Sequence, residues 1–429
     1  MLNWRVPNSI RNPSRPQVSH FYCLGAGVCD LLIMGQAEVG CSGAEAVLNL
    51  QPNSSVAVGY HPLFGSHDDL ILLELDHNLL PDVLHQRVTL RGQPDEDAVL
   101  CTQSKTYSIK FVGTSNSSFL IPQSGQFSMY DYPEDCDARV QARQLFAPII
   151  KLAPGNMELT EVSPRLDKLR LLLSENPYKS DGVLDMEDLD TGKDKTGLYT
   201  WDDLVGMVQA SNNELRSGLQ ALSAVEIDGY WRIVDEKYMD TILRMLLHNS
   251  ILNDWSLDFL NEDEVTNLLA SDGFPHKLAH HCLNVYGTKV NGGVGTGYVW
   301  KLDERRVCVH FARETLRAGK KKMEDFMGEW LKKIPDGMEA KFDMLEGEVL
   351  TEKLGVETWV RPFSISSLPS TPAERFSMLF RERSKWEWKD LHPYIRDLKV
   401  PGLSSEALLL KYTRRTQPSL DAEPIFSAR

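Results

Sequence analysis

Residues Tyr199 to Asp235 (YTWDDLVGMVQASNNELRSGLQALSAVEIDGYWRIVD) constrain this chain more than any other stretch, because several independent local signals agree there. Thr200 and Asp203 stand in the spacing of a capping box, ahead of a short helix with Leu204, Met207 and Val208 as its apolar positions. Ser211 and Glu214 repeat the box. The helix they start carries Leu215, Leu219 and Leu222 at i, i+4 and i+7, one stripe to bury. Val225 to Ile227, the turn dipeptide Asp228-Gly229, and Tyr230 to Val234 then read as a β-hairpin. Helix, tight turn, helix, hairpin is a helix-turn-helix with a wing, and a preceding helix over Leu166 to Ser174 completes a winged-helix module.

A chain of 429 residues is expected to hold several domains. No apolar run is long enough to span a bilayer. The seven cysteines are scattered, odd in number and without a CxxC pair, which argues for a reducing compartment, cytosol or nucleus, over a disulfide framework. The net charge of −14 is unevenly spread. Residues 301–429 hold 24 Lys and Arg against 21 Asp and Glu, leaving 22 against 39 for the residues before them. Any nucleic acid is therefore expected at the rear of the molecule, although an ordinary solvated surface accounts for the same numbers.

Residues 1–40 show neither period and are expected to be a disordered extension, or the product of a start codon placed upstream of a natural one at Met34. Residues 41–125 read as a small β-domain of barrel or sandwich type, with strands at 70–75, 88–91, 98–102, 107–112 and 119–121 and a short helix near Leu79 to His85. Such short apolar strands leave open edges, so a partner subunit is expected to complete the domain. Leu72, Leu73, Leu75, Leu90, Val99 and Tyr107 are the candidate partner-facing residues. Residues 126–162 read as a connector. The acidic insertion at Tyr178 to Gly197 offers no register that meets the EF-hand requirements, and reads as a solvated loop.

Beyond the first winged module (163–238) the chain reads as a second (239–302), a third with C-terminal helices (303–415), and a loose tail (416–429). Within these, Ala340 to Leu350 is expected to be a helix. The fold class is thus α+β, a small β-barrel-type domain followed by tandem winged helices.

No catalytic constellation survives scrutiny. The glycines at 292–297 precede a strand, whereas a P-loop needs a strand before it and Gly-Lys-Ser/Thr opening a helix after it, so a hairpin tip is expected there. His276 and His280 share a helix face, but Cys282 points away from it and no HExxH pattern is present. No metal and no cofactor are expected, and no GxSxG elbow is present. The helix after Ser211 carries one cation, Arg216, so the first module reads as protein-binding. The DNA-binding candidates are Arg313, Arg317, Lys320, Lys321, Lys322, Lys332 and Lys333, and near the end Lys411, Arg414 and Arg415. A solvated loop or import signal is the alternative for Lys320 to Lys322.

Several stretches together resemble a known family. They are Leu72-Leu73-Glu74-Leu75, Thr89-Leu90-Arg91-Gly92, Asp97 to Cys101, Lys105-Thr106-Tyr107, Thr114-Ser115-Asn116 and Ile121-Pro122, then Glu175-Asn176-Pro177-Tyr178, Gly229 to Ile233, Glu374-Arg375-Phe376 and Pro393-Tyr394-Ile395. In this order the chain is similar, over about 45–415, to the defective-in-sister-chromatid-cohesion family, subunits of the alternative replication factor C clamp loader. The resemblance implies a β-domain shared with a small cohesion partner subunit and the tail of the loader's large subunit, and an association with the replication factor C small subunits. It also implies three winged helices that contact DNA and the catalytic subunit of the leading-strand polymerase, in the nucleus. ATP hydrolysis would belong to other subunits, the sliding clamp would be handled by the assembly, and no membrane is involved. The competing reading is a winged-helix transcription regulator, which should carry more cations on the helix after Ser211.

Overall fold

The structure is a computed structural model and describes residues 2–5, 20–24, 32–33, 55–60, 71–85, 87–120, 145–149, 151–179, 197–290, 298–398, 400–417 and 423–429. The chain divides into two compact units, Met1–Val162 and Ser163–Arg429. The class is α+β, with a curled half-barrel sheet among several smaller ones.

The half-barrel belongs to the first unit. Its strands are β2 (His20–Leu24), β3 (Leu32–Ile33), β5 (Ile71–Leu75), β6 (Thr89–Arg91), β7 (Val99–Cys101), β8 (Thr106–Leu120) and β10 (Lys151–Val162). Their spatial order is β3-β2-β5-β10-β8-β7-β6. A second sheet joins β1 (Leu2–Arg5), β4 (Ser55–Tyr60) and β9 (Leu145–Ile149). Alternation decides which faces turn inward. Leu73 and Leu75 of β5 and Leu100 of β7 are buried together with Leu79 and with Val83 of a short helix, α1 (Leu80–His85), while Tyr107, Ile109, Met157 and Leu159 pack against them.

Three expectations change here. Strands stand at 2–5, 20–24 and 32–33, where no period was legible; β1 pairs with β4 and β2 with β5. The connector 126–162 contains β10, a twelve-residue strand that pairs with β8 from Lys151↔Leu120 to Val162↔Thr106 and runs parallel to β5. Pro154 and Gly155 hid it in the sequence, because both are poor strand formers. The register shift between Ala153 and Gly155 absorbs them as an irregularity. The strands expected at 107–112 and 119–121 are one continuous strand, β8.

The second unit repeats one topology. Its first repeat has helices α2 (Leu166–Ser174), α3 (Trp201–Met207) and α4 (Asn212–Ala221), then strands β11 (Ala224–Ile227) and β12 (Tyr230–Ile233). Both capping boxes form: Asp203 N donates to Thr200 Oγ1 at 3.3 Å and Thr200 N to Asp203 Oδ2 at 2.9 Å, and Ser211 and Glu214 reproduce the pattern. Asp228 and Gly229 take φ of 51° and 85°, as a tight hairpin turn requires. Gly218 allows α4 to close on α2, since a Cβ there would lie 2.9 Å from Leu166 Cδ2.

The second repeat runs α5 (Glu236–Leu252), β13 (Leu260–Asn261), α6 (Glu262–Ser271), α7 (His276–Tyr286), β14 (Gly287–Val290) and β15 (Val299–Leu302). Strands β14 and β15 flank the glycines at 292–297, as a hairpin should, and the tip itself lies outside the described residues. The third has α8 (Glu304–Thr315), β16 (Lys321–Lys322), α9 (Met323–Leu331), β17 (Val349–Leu354) and β18 (Glu357–Pro362). The helix expected over Ala340 to Leu350 is a 3-10 turn at Phe342–Leu345 followed by β17. Gly347, at φ +79°, reverses the chain there, and Ile365 occupies the space a side chain would need.

A fourth repeat follows: α10 (Pro372–Glu382), β19 (Lys385–Glu387), α11 (Trp388–Leu391), α12 (Ser405–Tyr412), β20 (Thr413–Thr416) and β21 (Ile425–Ala428). The residues read as a loose tail therefore supply β21, the central strand of this sheet, with Phe426 buried. In each three-stranded sheet of this unit the last strand is central: β13-β15-β14, β16-β18-β17 and β19-β21-β20. Leu169, Leu204, Leu215 and Leu219 form the first repeat's core, one continuous core links the second and third, and Phe376, Leu379, Trp386 and Tyr394 fill the fourth. Across the unit, Ser370 N donates to Asp167 Oδ2 at 2.9 Å.

Candidate nucleic-acid and partner surfaces

Of the six β-domain residues expected to face a partner, the structure separates two kinds. Leu73, Leu75 and Val99 are buried in the chain's own sheet, and Leu72 and Tyr107 are half-buried. Leu90 is 64 % exposed on β6, which has no second neighbour among the described residues. Ile71, Phe111, Phe119 and Leu152 are also exposed. Sequence reading missed these four because a strand's period of two does not say which face a neighbour covers.

The cationic candidates fall into three places. Around α8 and α9, Arg313 holds Glu348 with two nitrogens, Nε at 2.9 Å and Nη2 at 2.7 Å, and Lys333 pairs with Glu314 at 3.1 Å. Arg317 and Lys332 are exposed and form no ion pair among the described residues. At the β16 edge, Lys321 pairs with Glu329, Lys322 with Glu357 at 2.6 Å, and Lys320 lies 5.4 Å over the Trp359 ring. The carboxylate beside Lys322 pushes its ammonium pKa upward, first through the hydrogen bond and then through charge. In the fourth repeat, Lys411 lies in the last turn of α12, and Arg414 and Arg415 lie exposed on the edge strand β20. Arg415 donates to Gln417 at 3.1 Å, whereas Arg414 has no carboxylate partner among the described residues. A cation already held by a glutamate has less to offer a phosphate, so β20 is the least neutralised of the three places.

The histidines considered for a metal do not converge. His276 bonds Asn267 at 3.0 Å and His280 bonds Asn284 at 2.9 Å, while Cys282 is wholly buried. No group of three or more His, Cys, Asp or Glu among the described residues is placed to hold a metal. Tyr286, His310 and Asp240 do form a chain, at 2.9 Å and 3.0 Å, and its order resembles a catalytic relay. Arg244 extends it to Glu314, so the chain joins α5, α7 and α8 as a structural tie.

A cleft of about 980 Å³ opens among the first three repeats. Arg216 and Glu226 line it from the first, His281 from the second, and Arg305, Arg306 and Arg313 from the third. Trp201 and Trp231 form part of its wall.

A protein-family model described as "Sister chromatid cohesion protein Dcc1" matches residues 70–395. The sister chromatid cohesion protein DCC1 of Danio rerio is 33% identical over 354 residues, covering 81% of this chain and 87% of that protein. The Homo sapiens protein of the same name is 33% identical over 350 residues, covering 80% and 85%. The chain belongs to the Dcc1 family. The Saccharomyces cerevisiae member is more distant, 22% identical over 335 residues, covering 74% of this chain and 84% of its own.

Within this Dcc1-family chain, the motifs that carried the resemblance meet in pairs. Arg232, from Gly229 to Ile233, donates to the Asn176 side chain at 2.9 Å and to the Pro177 carbonyl at 3.2 Å. Arg375, from Glu374-Arg375-Phe376, donates to the Tyr394 carbonyl at 3.0 Å. These arginines were legible as motif members, but their bonding roles were not, because the partners lie far away in sequence.

Proposed function

We propose that this chain is a non-catalytic subunit of sister chromatid cohesion, acting in the nucleus as part of an alternative replication factor C clamp loader. The observation that carries the reading is the pairing of two architectures. A half-barrel whose terminal strands β3 and β6 each lack a second neighbour among the described residues is followed by four repeats with winged-helix connectivity. Helix, strand, two helices and two strands with the last strand central is the order of a winged helix; the first repeat follows it with Tyr199 bridged to Trp231 in place of the first strand, and the third with the 3-10 turn Phe342–Leu345 in place of its last helix. The four repeats support a tandem winged-helix array, one module more than the sequence suggested.

On this reading the open sheet takes strands from a small cohesion partner subunit and the loader's large subunit, with Leu90 and the exposed Phe111 and Phe119 at the contact. ATP hydrolysis would belong to other subunits, and the assembly as a whole would act on the sliding clamp. The winged array would meet the catalytic subunit of the leading-strand polymerase and DNA, with Lys411, Arg414 and Arg415 as the DNA edge. A sequence-reading regulator is less well supported, because Arg216, the one cation on α4, lies 4.9 Å over the Trp201 ring. No helix among the described residues is long and apolar enough to cross a membrane.

The test is affinity purification of the tagged chain from replicating cells beside a version lacking 1–162, the boundary at which β10 is removed together with its partners. Replication factor C small subunits should co-purify with the full chain and be lost with the truncation. Their absence from both would overturn the reading.

A further inference from the structure

The cleft among the first three repeats differs in sign from a chain whose net charge is −14. Four arginines line it against two glutamates, Glu226 and Glu348. Two of those arginines are already committed. Arg313 is held by Glu348, and Arg306 donates to the carbonyls of Val285 and Gly287 at 3.3 Å and 3.1 Å, closing the end of α7. The other two retain open donors. Arg216 has no carboxylate partner among the described residues, and Arg305 commits only its Nε, to the Met344 carbonyl at 3.1 Å. Guanidinium forks left in this state match a carboxylate in two-point geometry.

Behind the lining lies a buried polar atom without a partner. His281 is 8 % exposed, and its Nε2 has no hydrogen-bond partner. The ring's hydrogen bond to the Ser223 main chain leaves Nε2 as the unsatisfied atom. A buried polar atom is ordinarily paired, and this one lies among residues that line the cleft. Beside it, Leu219, Val285 and Val309 give apolar lining. At about 980 Å³ the cleft stands at the top of the roughly 300–1,000 Å³ range of compact ligand sites.

We propose that this cleft docks a short extended segment of a partner protein that carries carboxylates beside an apolar side chain. Arg216 and Arg305 take the carboxylates, and Val285 and Val309 take the apolar group. Single-stranded nucleic acid shares the negative charge but fits less well. Stacking needs an open aromatic face, and the Trp201 face is already covered by Arg216 while Trp231 packs half-buried on the first repeat's core. The cleft's chemistry is the same whichever assembly the chain enters.

The test uses the full chain and a phage-displayed random peptide library, followed by fluorescence anisotropy of labelled selected peptides. The expected winners combine Asp or Glu with an apolar residue. Arg216→Glu and Arg305→Glu should each weaken them about tenfold or more, and Glu226→Gln should keep or tighten binding. All three side chains are exposed, so the thermal unfolding midpoint should hold. Winners without acidic residues, no enrichment at all, or affinity indifferent to both reversals would overturn the proposal. So would a labelled oligothymidylate that displaces the peptides and is itself lost with the same two variants, which would give the cleft to nucleic acid.

Discussion

Arg232 lies 5.1 Å over the Tyr178 ring while its Nη2 bonds Asn176 Oδ1 at 2.9 Å. Tyr178 N in turn donates to the Ile233 carbonyl at 2.8 Å. One guanidinium thus fastens the hairpin of the first repeat to the segment that leaves α2, on either side of the acidic insertion.

Arg232→Ala should therefore destabilise the second unit by about 2 kcal/mol, the scale of hydrogen bonds to a charged donor. Arg232→Lys should recover little of it, because an ammonium cannot reproduce the planar fork. Urea denaturation followed by tryptophan fluorescence measures both. A lysine variant as stable as the parent would show that charge alone matters.

Arg375 presents a more buried case, at 3 % exposure. Its Nη1 reaches the Tyr394 carbonyl at 3.0 Å and Asp397 at 2.8 Å, and its Nε bonds the Pro369 carbonyl at 2.5 Å. Removing the guanidinium strands two carbonyls in the core of the fourth repeat. Arg375→Met keeps much of the volume, so its expected loss of about 3 kcal/mol reports the stranded polar groups. A change within about 0.5 kcal/mol, as for an ordinary surface site, would mean that water replaces the arginine.

These two residues show what the sequence could and could not disclose. Capping boxes, the Asp228-Gly229 turn and the Leu215/Leu219 stripe are local signals, and each appears in the structure where the residues place it. The failures are non-local. Strand β10 was missed because Pro154-Gly155 interrupts its pattern, and β21 because a four-residue strand is recognisable only once β19 and β20 flank it. Among the candidate sites, the cations were found but their glutamate partners were not: Glu348 lies 35 residues from Arg313. The cleft was invisible, since its lining comes from three repeats.

His281 makes the stability of the second unit depend on pH. Burial, assisted by the neighbouring His280, lowers its pKa from 6.5 to about 4, against an opposing hydrogen bond to the Ser223 main chain. The folded state holds the neutral ring, while the unfolded chain takes up a proton below about pH 6.5. Stability from this group is complete above 6.5 and is lost progressively as pH falls toward 4, by at most on the order of 3 kcal/mol. His310, lowered by burial against the pull of Asp240, acts in the same direction. The denaturation midpoint should drop between pH 7.5 and 5, and His281→Leu should flatten that drop. An unchanged slope in the variant would place the dependence elsewhere.

The two basic edges should differ in DNA binding, and the difference follows from their glutamates. Lys321 and Lys322 are engaged by Glu329 and Glu357, so a phosphate must displace a carboxylate before it is bound. Exposed pairs are worth about 0–1 kcal/mol, which offsets much of what one bound phosphate returns. Arg414 faces no such competitor among the described residues, and Arg415 bonds a neutral glutamine. Arg414→Glu with Arg415→Glu should then weaken binding to a mixed-sequence duplex more than reversal of Lys320, Lys321 and Lys322 together. The logarithmic salt slope should fall by about 0.9 for each phosphate that the variant no longer neutralises. Anisotropy titrations of a labelled duplex across rising NaCl measure affinity and slope together. A larger effect from the lysine reversals would move the DNA edge to β16, and a strong preference for one base sequence would favour a regulator over a scaffold.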